Sequence, residues 1–272
     1  MTQEEPHYRI RALRYARHER KAAENFISGD DHATDMPLDY YIWLIERDDM
    51  APILVDCGFG QEAADRRGRT LLRTVDKALE DAGVELNDIA HVIITHLHYD
   101  HAGNLALFPN ARFHIQDAEM AYATSRAMTH KMMRAPFDPG PVAEMVHLIY
   151  GDRVVFHAGE DQFAPGIRLH HLGGHSMGIQ AVEVATMRGP VILASDVAHL
   201  YANLTREIPF PIVADVVAYL DSGRRLRALA PSLSHIIPGH DPLVGTHFPP
   251  DGDRPDIVRV DLPPLHPIEE QQ

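Results

Sequence analysis

The stretch VIITHLHYDHAG, Val92 to Gly103, constrains this chain more than any other. Three histidines and an aspartate occupy six positions directly after an apolar, strand-like run. Histidine is the commonest metal ligand. On extended backbone, residues two apart point to the same side, so His96 and His98 can reach one ion together. If the chain then turns into a helix, Asp100 and His101 are redirected toward a second ion nearby. A His-x-His-x-Asp-His loop completes neither site alone, so the fold must bring other ligands to it.

Three further positions have the right chemistry in the right setting. His175 closes HHLGGHSMG, where glycines allow a tight turn. Asp196 ends the apolar run PVILASD, where an unpaired carboxylate is rarely found. His240 follows the apolar pair in HIIPGHD. Each is a polar ligand type just past an apolar run, where layered folds carry their functional loops.

The rest of the chain reads as alternating strands and helices. YRIRALRYA, YYIWLIER and APILVDCGFG are strand-like, as are HVIITHLH, RFHIQ, DRVVF, IRLHHLGGH, IQAVEVAT and PVILASD. Helical spacing covers Asp65 to Ala82 and about Val213 to Leu229, and Asp117 is an N-cap candidate. Strand runs with helices between them, twice over, predict an α/β chain: two mixed β-sheets face to face with helices outside, one domain over residues 1–272. The proline-rich tail FPPDGDRPDIVRVDLPPLHP is expected to lie over the surface. Residues 127–150, methionine-rich and broken by prolines, predict a covering loop with a short helix. Such a segment serves as a lid or active-site wall, or as an oligomerisation surface in a homodimer.

Composition excludes several classes. Lysine plus arginine number 25 against 39 acidic residues, a formal charge of −14, which argues against a nucleic-acid partner. With one cysteine, Cys57, neither an internal disulfide nor a thiolate cluster can form. No apolar run approaches the length of a membrane span, and the first thirty residues lack the apolar core of an export signal. A cytoplasmic setting without a membrane partner is expected.

In their order, H-x-H-x-D-H, G-H, S-D and P-G-H resemble the metallo-β-lactamase superfamily of hydrolases, and LVDCGFG resembles that family's early strand and turn. The resemblance implies an αββα sandwich with a dinuclear site at one edge. It implies that His96, His98 and His175 hold one ion, that Asp100, His101 and His240 hold the other, and that Asp196 bridges them. Asp56 would support the metal loop from behind. Two divalent ions are expected, zinc first, with manganese, cobalt or iron suited by the same donors.

The spacing of His175, Asp196 and His240 and the run GHSMGIQAVEV resemble N-acyl homoserine lactonases most. The expected activity is metal-dependent opening of a lactone, an N-acyl homoserine lactone (quorum quenching) or a related small lactone. Asp100 would pass a proton to the departing ring oxygen, and His199 or Tyr201 would donate a hydrogen bond to the oxyanion. In that family a tyrosine stands three residues past the bridging aspartate; here the position is His199. Hydroxyacylglutathione thioester hydrolysis is the alternative, and a diiron binding or redox module a third. An acyl tail would lie against Met128, Met132, Met133, Phe137 or Met145, with Glu207 to Val213 as another wall. His91, His114 and His157 have no spacing partner and receive no role.

Overall fold

The computed structural model describes residues 6–30 and 33–268. Among the described residues, fourteen strands run in chain order: β1 (Arg9–His18), β2 (Leu38–Glu46), β3 (Ile53–Val55), β4 (Thr70–Leu71), β5 (His91–Ile93), β6 (Arg112–Gln116) and β7 (Val154–His157). They continue as β8 (Asp161–Ala164), β9 (Ile167–His171), β10 (Gln180–Thr186), β11 (Gly189–Ser195), β12 (Ile236–Pro238), β13 (Pro250–Asp251) and β14 (Arg254–Arg259). One sheet has the order β13-β14-β1-β2-β3-β5-β6-β7, with β4 also on β1; the other is β12-β11-β10-β9-β8. Both are mixed, parallel at β3-β5-β6-β7 and at β11-β12.

Strand β2 shows why the sheets stack. Its run LDYYIWLIE is buried on both faces. Tyr41, Trp43 and Ile45 face β10 and β11 across the interior, among Val182, Val184 and Leu193. Tyr40, Ile42 and Leu44 face the other way, into a core shared with the helices Val75–Asp81 and Asp117–Ala123. Ile192 and Ala194 of β11 turn outward onto Leu226 of the helix Val216–Leu229. Three apolar layers between two sheets and two helical flanks make the αββα sandwich.

Several expectations are corrected. The helix expected over Asp65–Ala82 is two helices, Gln61–Arg67 and Val75–Asp81. Gly68 ends the first in the left-handed region (φ 64°), and β4 then pairs with β1, so the apolar spacing is shared among three elements. The strand before the metal loop stops at Ile93, ahead of the histidines. Asp117 lies inside its helix, after Gln116 as the N-cap. The tail does not drape the surface: β14 pairs with β1, and Ile257 and Val258 are buried. Residues 127–150 carry more helix than expected, including Pro139–Tyr150, whose first-turn prolines sit where no N–H is needed.

The carboxyl ends of β3, β5, β11 and β12 meet at one edge of the sandwich, and the chain emerging from each carries a polar side chain into the same space. Among the described residues, no helix is long and apolar enough to cross a membrane.

Candidate metal centre

Beyond β5 the chain runs through Thr95, His96, Leu97 and His98 and turns into the short helix Tyr99–Ala102. His96 Nε2 lies 2.9 Å from His98 Nδ1, and His175 Nε2 lies 2.9 Å from that same nitrogen. His175 reaches it from the loop after β9. Asp196 follows β11 and presents one carboxylate oxygen to each half of the site. Its Oδ2 is 3.2 Å from His175 Nε2 and 3.9 Å from His96 Nε2. Its Oδ1 is 3.0 Å from His240 Nε2 and 3.4 Å from His101 Nε2. Asp100 Oδ2 closes the second half, 3.7 Å from His240 Nε2 and 3.8 Å from His101 Nε2. The seven side chains singled out as ligands thus converge: Asp196 groups with His96, His98 and His175, its Oδ1 lies beside the group of Asp100, His101 and His240, and it also groups with His199 and His240.

These groups fit divalent cations on their own chemistry. One imidazole nitrogen of His98 faces two others, and a single proton cannot satisfy both contacts. His101 Nε2 and Asp196 Oδ1 are buried with no hydrogen-bond partner among the described residues, a costly state unless something binds them. Burial, reinforced by the neighbouring imidazoles, pushes His96 and His98 well below the usual histidine range, and burial does the same to His175, so these are neutral, ligand-competent rings. Burial works against charge on Asp196 too, yet His199, His240, His101 and His175 hold it well below the usual carboxylate range.

Other hydrogen bonds orient the ligands. His175 Nδ1 donates to the Ile212 carbonyl (2.7 Å), His240 Nδ1 to the Asp39 carbonyl (3.1 Å) and His101 Nδ1 to Asp56 Oδ2 (2.7 Å). Each leaves Nε2 free for a cation. Asp56 also accepts from Thr95 N (2.7 Å) and Thr95 Oγ1 (2.8 Å), from a left-handed backbone (φ 59°) unusual for a non-glycine residue. At Gly239 a Cβ would come within 2.5 Å of Asp196 Oδ1, so the approach of this loop to the aspartate requires glycine.

Sequence reasoning missed Glu119. This fully buried carboxylate accepts from Leu97 N (2.9 Å), Gly178 N (3.0 Å) and the Ser176 hydroxyl. It ties the His96–His98 loop to the His175 loop. Its only sequence signal was an acidic residue on the inward face of an amphipathic helix.

Of the two expected oxyanion donors, His199 lies at the site. Its Nε2 is 2.9 Å from Asp196 Oδ2, its ring stacks on Phe210 at 3.8 Å, and its Nδ1 is buried without a partner among the described residues. Tyr201 is corrected: it is buried, and its hydroxyl donates to the Ile236 carbonyl (2.8 Å), which commits it to packing behind the site. A 210 Å³ apolar cavity opens beside His98 and His175, walled by Met132, Met133, Pro136 and Ile212. Of the other tail-binding candidates, Met145 is wholly in the core, Met128 lines a separate groove, and Phe137 packs its ring edge-on to His98 at 4.6 Å.

The family model of the metallo-beta-lactamase superfamily matches residues 36–240, which include every one of these ligand positions. The chain belongs to that superfamily. An N-acyl homoserine lactonase of Bacillus thuringiensis is 29% identical over 220 residues, spanning 75% of this chain and 82% of the relative. A probable metallo-hydrolase of Mycobacterium tuberculosis is 28% identical over 251 residues, spanning 81% and 78%. Among solved structures, a quorum-quenching N-acyl homoserine lactone lactonase superposes with a TM-score of 0.71 at 25% identity, covering 86% of this chain and 92% of that one.

Proposed function

We propose that this chain opens lactone rings, those of N-acyl homoserine lactones first among them, by metal-assisted hydrolysis. The chain is a metal-dependent hydrolase of ester bonds; the lactone is the narrower part of the reading. The observation that carries it is the division of Asp196, one oxygen toward His96 and His175 and the other toward His101 and His240. The relatives named as lactonases at 28–29% identity support the substrate class.

His96, His98 and His175 would hold one divalent ion, Asp100, His101 and His240 the other, with Asp196 spanning both. Zinc suits these donors, and manganese, cobalt and iron suit them as well. Such a pair supplies Lewis acidity toward a carbonyl oxygen and makes water nucleophilic at neutral pH. The chain's own residues do the rest. Asp100, largely buried and facing the cleft, would take the proton given up by the attacking water and hand it to the ring oxygen as it leaves. His199, held flat by Phe210, donates a hydrogen bond to the developing oxyanion. The cavity walled by Met132, Met133 and Ile212 takes an apolar tail and excludes water from that side.

Acid release by zinc-loaded protein on a panel of acyl homoserine lactones, simple γ-lactones and an acyl-glutathione thioester tests this. Lactone turnover abolished by Asp100→Asn is the expected result. Thioester cleavage without lactone cleavage would overturn the lactone reading.

A further inference from the structure

The formal charge of −14 gives no hint of the charge at the mouth of the metal cleft. Arg20 and Arg69, from the loop after β1 and the turn before β4, line the same cleft as Asp100, Asp196, His199 and His240. Both are half-buried. Some of the less exposed arginines are paired with acids, Arg11 with Glu46 at 2.7 Å and Asp251 at 3.1 Å and Arg14 with Asp39 at 3.0 Å, while Arg153 and Arg188 donate to backbone carbonyls away from the cleft.

Arg20 and Arg69 also have neutral partners, and they alone of these six line the metal cleft. Arg20 donates from Nε to Asn25 Oδ1 (2.7 Å) and from Nη2 to the Glu24 carbonyl. Arg69 donates from Nε to the Tyr99 hydroxyl (2.9 Å) and from Nη1 to the Arg67 carbonyl (2.6 Å), with His18 Nε2 at 3.1 Å. Among the described residues these partners are neutral, and Nη1 of Arg20 and Nη2 of Arg69 have none. The nearby Glu24 carboxylate accepts from the Lys21 amide (2.7 Å). The acids left facing the pair are Asp100 and Asp196, which belong to the metal donor set.

Neighbouring rings fix the two guanidiniums: Arg20 lies over Phe210 at 5.1 Å, and Arg69 is held at the hydroxyl end of Tyr99, 6.0 Å from the ring centre. A fixed, half-desolvated guanidinium pair with free N–H groups matches the planar fork of a carboxylate.

We propose that Arg20 and Arg69 form an anion clamp at the mouth of the metal cleft, and that the substrate is an ester or lactone carrying a free carboxylate besides the bond that is cleaved. The clamp rests on the reading of the site as an ester-opening hydrolase, and within it moves the preferred substrate from neutral N-acyl homoserine lactones to carboxylate-bearing lactones or esters. A cationic mouth on an acidic protein also steers such a substrate to the metals and away from the rest of the surface.

Matched substrates test the clamp on zinc-loaded protein: N-hexanoyl against N-hexanedioyl homoserine lactone, and γ-butyrolactone against its ring-carboxylate derivative. An acyl-glutathione thioester and a phosphate-bearing ester complete the panel. At about 20 mM salt, at least one carboxylate member should exceed its neutral twin about tenfold in kcat/KM, chiefly through KM. That advantage should shrink as salt rises to about 0.5 M. Arg20→Gln and Arg69→Gln should each cut the anionic-to-neutral ratio about tenfold, with Arg69→Lys intermediate. Equal turnover of the twins, or a ratio that neither salt nor the variants change, overturns the clamp while leaving the hydrolase reading intact; preference for the phosphate ester overturns the choice of carboxylate. If no ester is cleaved, the hydrolase reading fails, and calorimetric titration of glutarate then decides the clamp. Binding weakened about tenfold in the two variants supports it, and unchanged binding overturns it.

Discussion

Two regions of this protein are built from histidine, and they are opposites. In the metal cleft His98 Nδ1 faces two other imidazole nitrogens, and buried ligand atoms are left over. Across β5, β6 and β7 stands a second array, where His91 Nδ1 meets His114 Nε2 at 2.9 Å and His114 Nδ1 meets His157 Nε2 at 3.0 Å. His157 Nδ1 then meets Asp161 Oδ2 at 2.6 Å. The aspartate can only accept, so one tautomer with the proton on Nδ1 satisfies every link, and the middle ring uses both nitrogens. The array spends its polar capacity internally, across three paired strands and onto Asp161. The cleft holds its capacity in reserve. Unspent lone pairs, not histidine number, distinguish a site from a seam.

The largest effect expected from that difference is at Asp196, which presents one carboxylate oxygen to each half of the site. Asp196→Asn should lower kcat/KM about a thousandfold or more, the loss of several kcal/mol of transition-state stabilisation. Metal analysis of the purified variant should find fewer bound ions per chain than in the wild type. Full metal content together with full activity would show that Asp196 spans nothing. Chelation of the wild type should abolish turnover, restored by added zinc, while the array on β5–β7 stays intact.

Glu119→Gln comes next. The carboxylate holds two ligand loops together without touching a ligand nitrogen, so the variant should lose about 10- to 100-fold in metal affinity or activity. If the loss were confined to thermal stability, with metal affinity unchanged, Glu119 would belong to the core alone. His199→Phe keeps the stacking on Phe210 and removes the ring nitrogens with their one N–H. A fall of about 100-fold in kcat with metal content retained identifies an oxyanion donor, whereas an unchanged kcat reduces His199 to packing.

Much of this was legible in the sequence because the cleft is compact along the chain. Four of its ligands fall within six residues, and each of the other three follows an apolar run. The sandwich was legible from strands such as β2 and β11, whose unbroken apolar runs demand cover on both faces. Contacts remote in sequence were not legible. His91, His114 and His157 become neighbours only when parallel strands bring them together. Arg20 and Arg69 are 49 positions apart and reach the metal cleft only when the loop after β1 and the turn before β4 fold over it. Local pattern also misled where tertiary pairing won. β14, with an aspartate and a proline in its first half, reads as tail until β1 supplies its partner, and Leu71 reads as helical until β4 forms.

The smallest effect on activity should come from the array itself. His114→Gln should leave kcat/KM within about twofold at neutral pH, while removing hydrogen bonds worth about 1 kcal/mol each. Its signature is in acid. Burial, followed by the neighbouring His91 and His157, pushes His114 down to about 3, far below an unfolded histidine near 6.5. Between those values the unfolded chain takes up a proton that the native array refuses, so native stability rises with pH across the window. The contribution is therefore complete above about 6.5 and drains as pH falls toward 3. Arg112 on β6 opposes the extra charge and Asp161 on β8 favours it, and burial outweighs both. Thermal melts of wild type and variant, both stripped of metal, should separate most near neutrality and converge as the pH is lowered through this window. Parallel melting curves would mean that His114 takes up its proton in the native state as readily as in the unfolded one. A tenfold loss of activity or of bound metal in His114→Gln would break the comparison altogether, because the seam would then be part of the site.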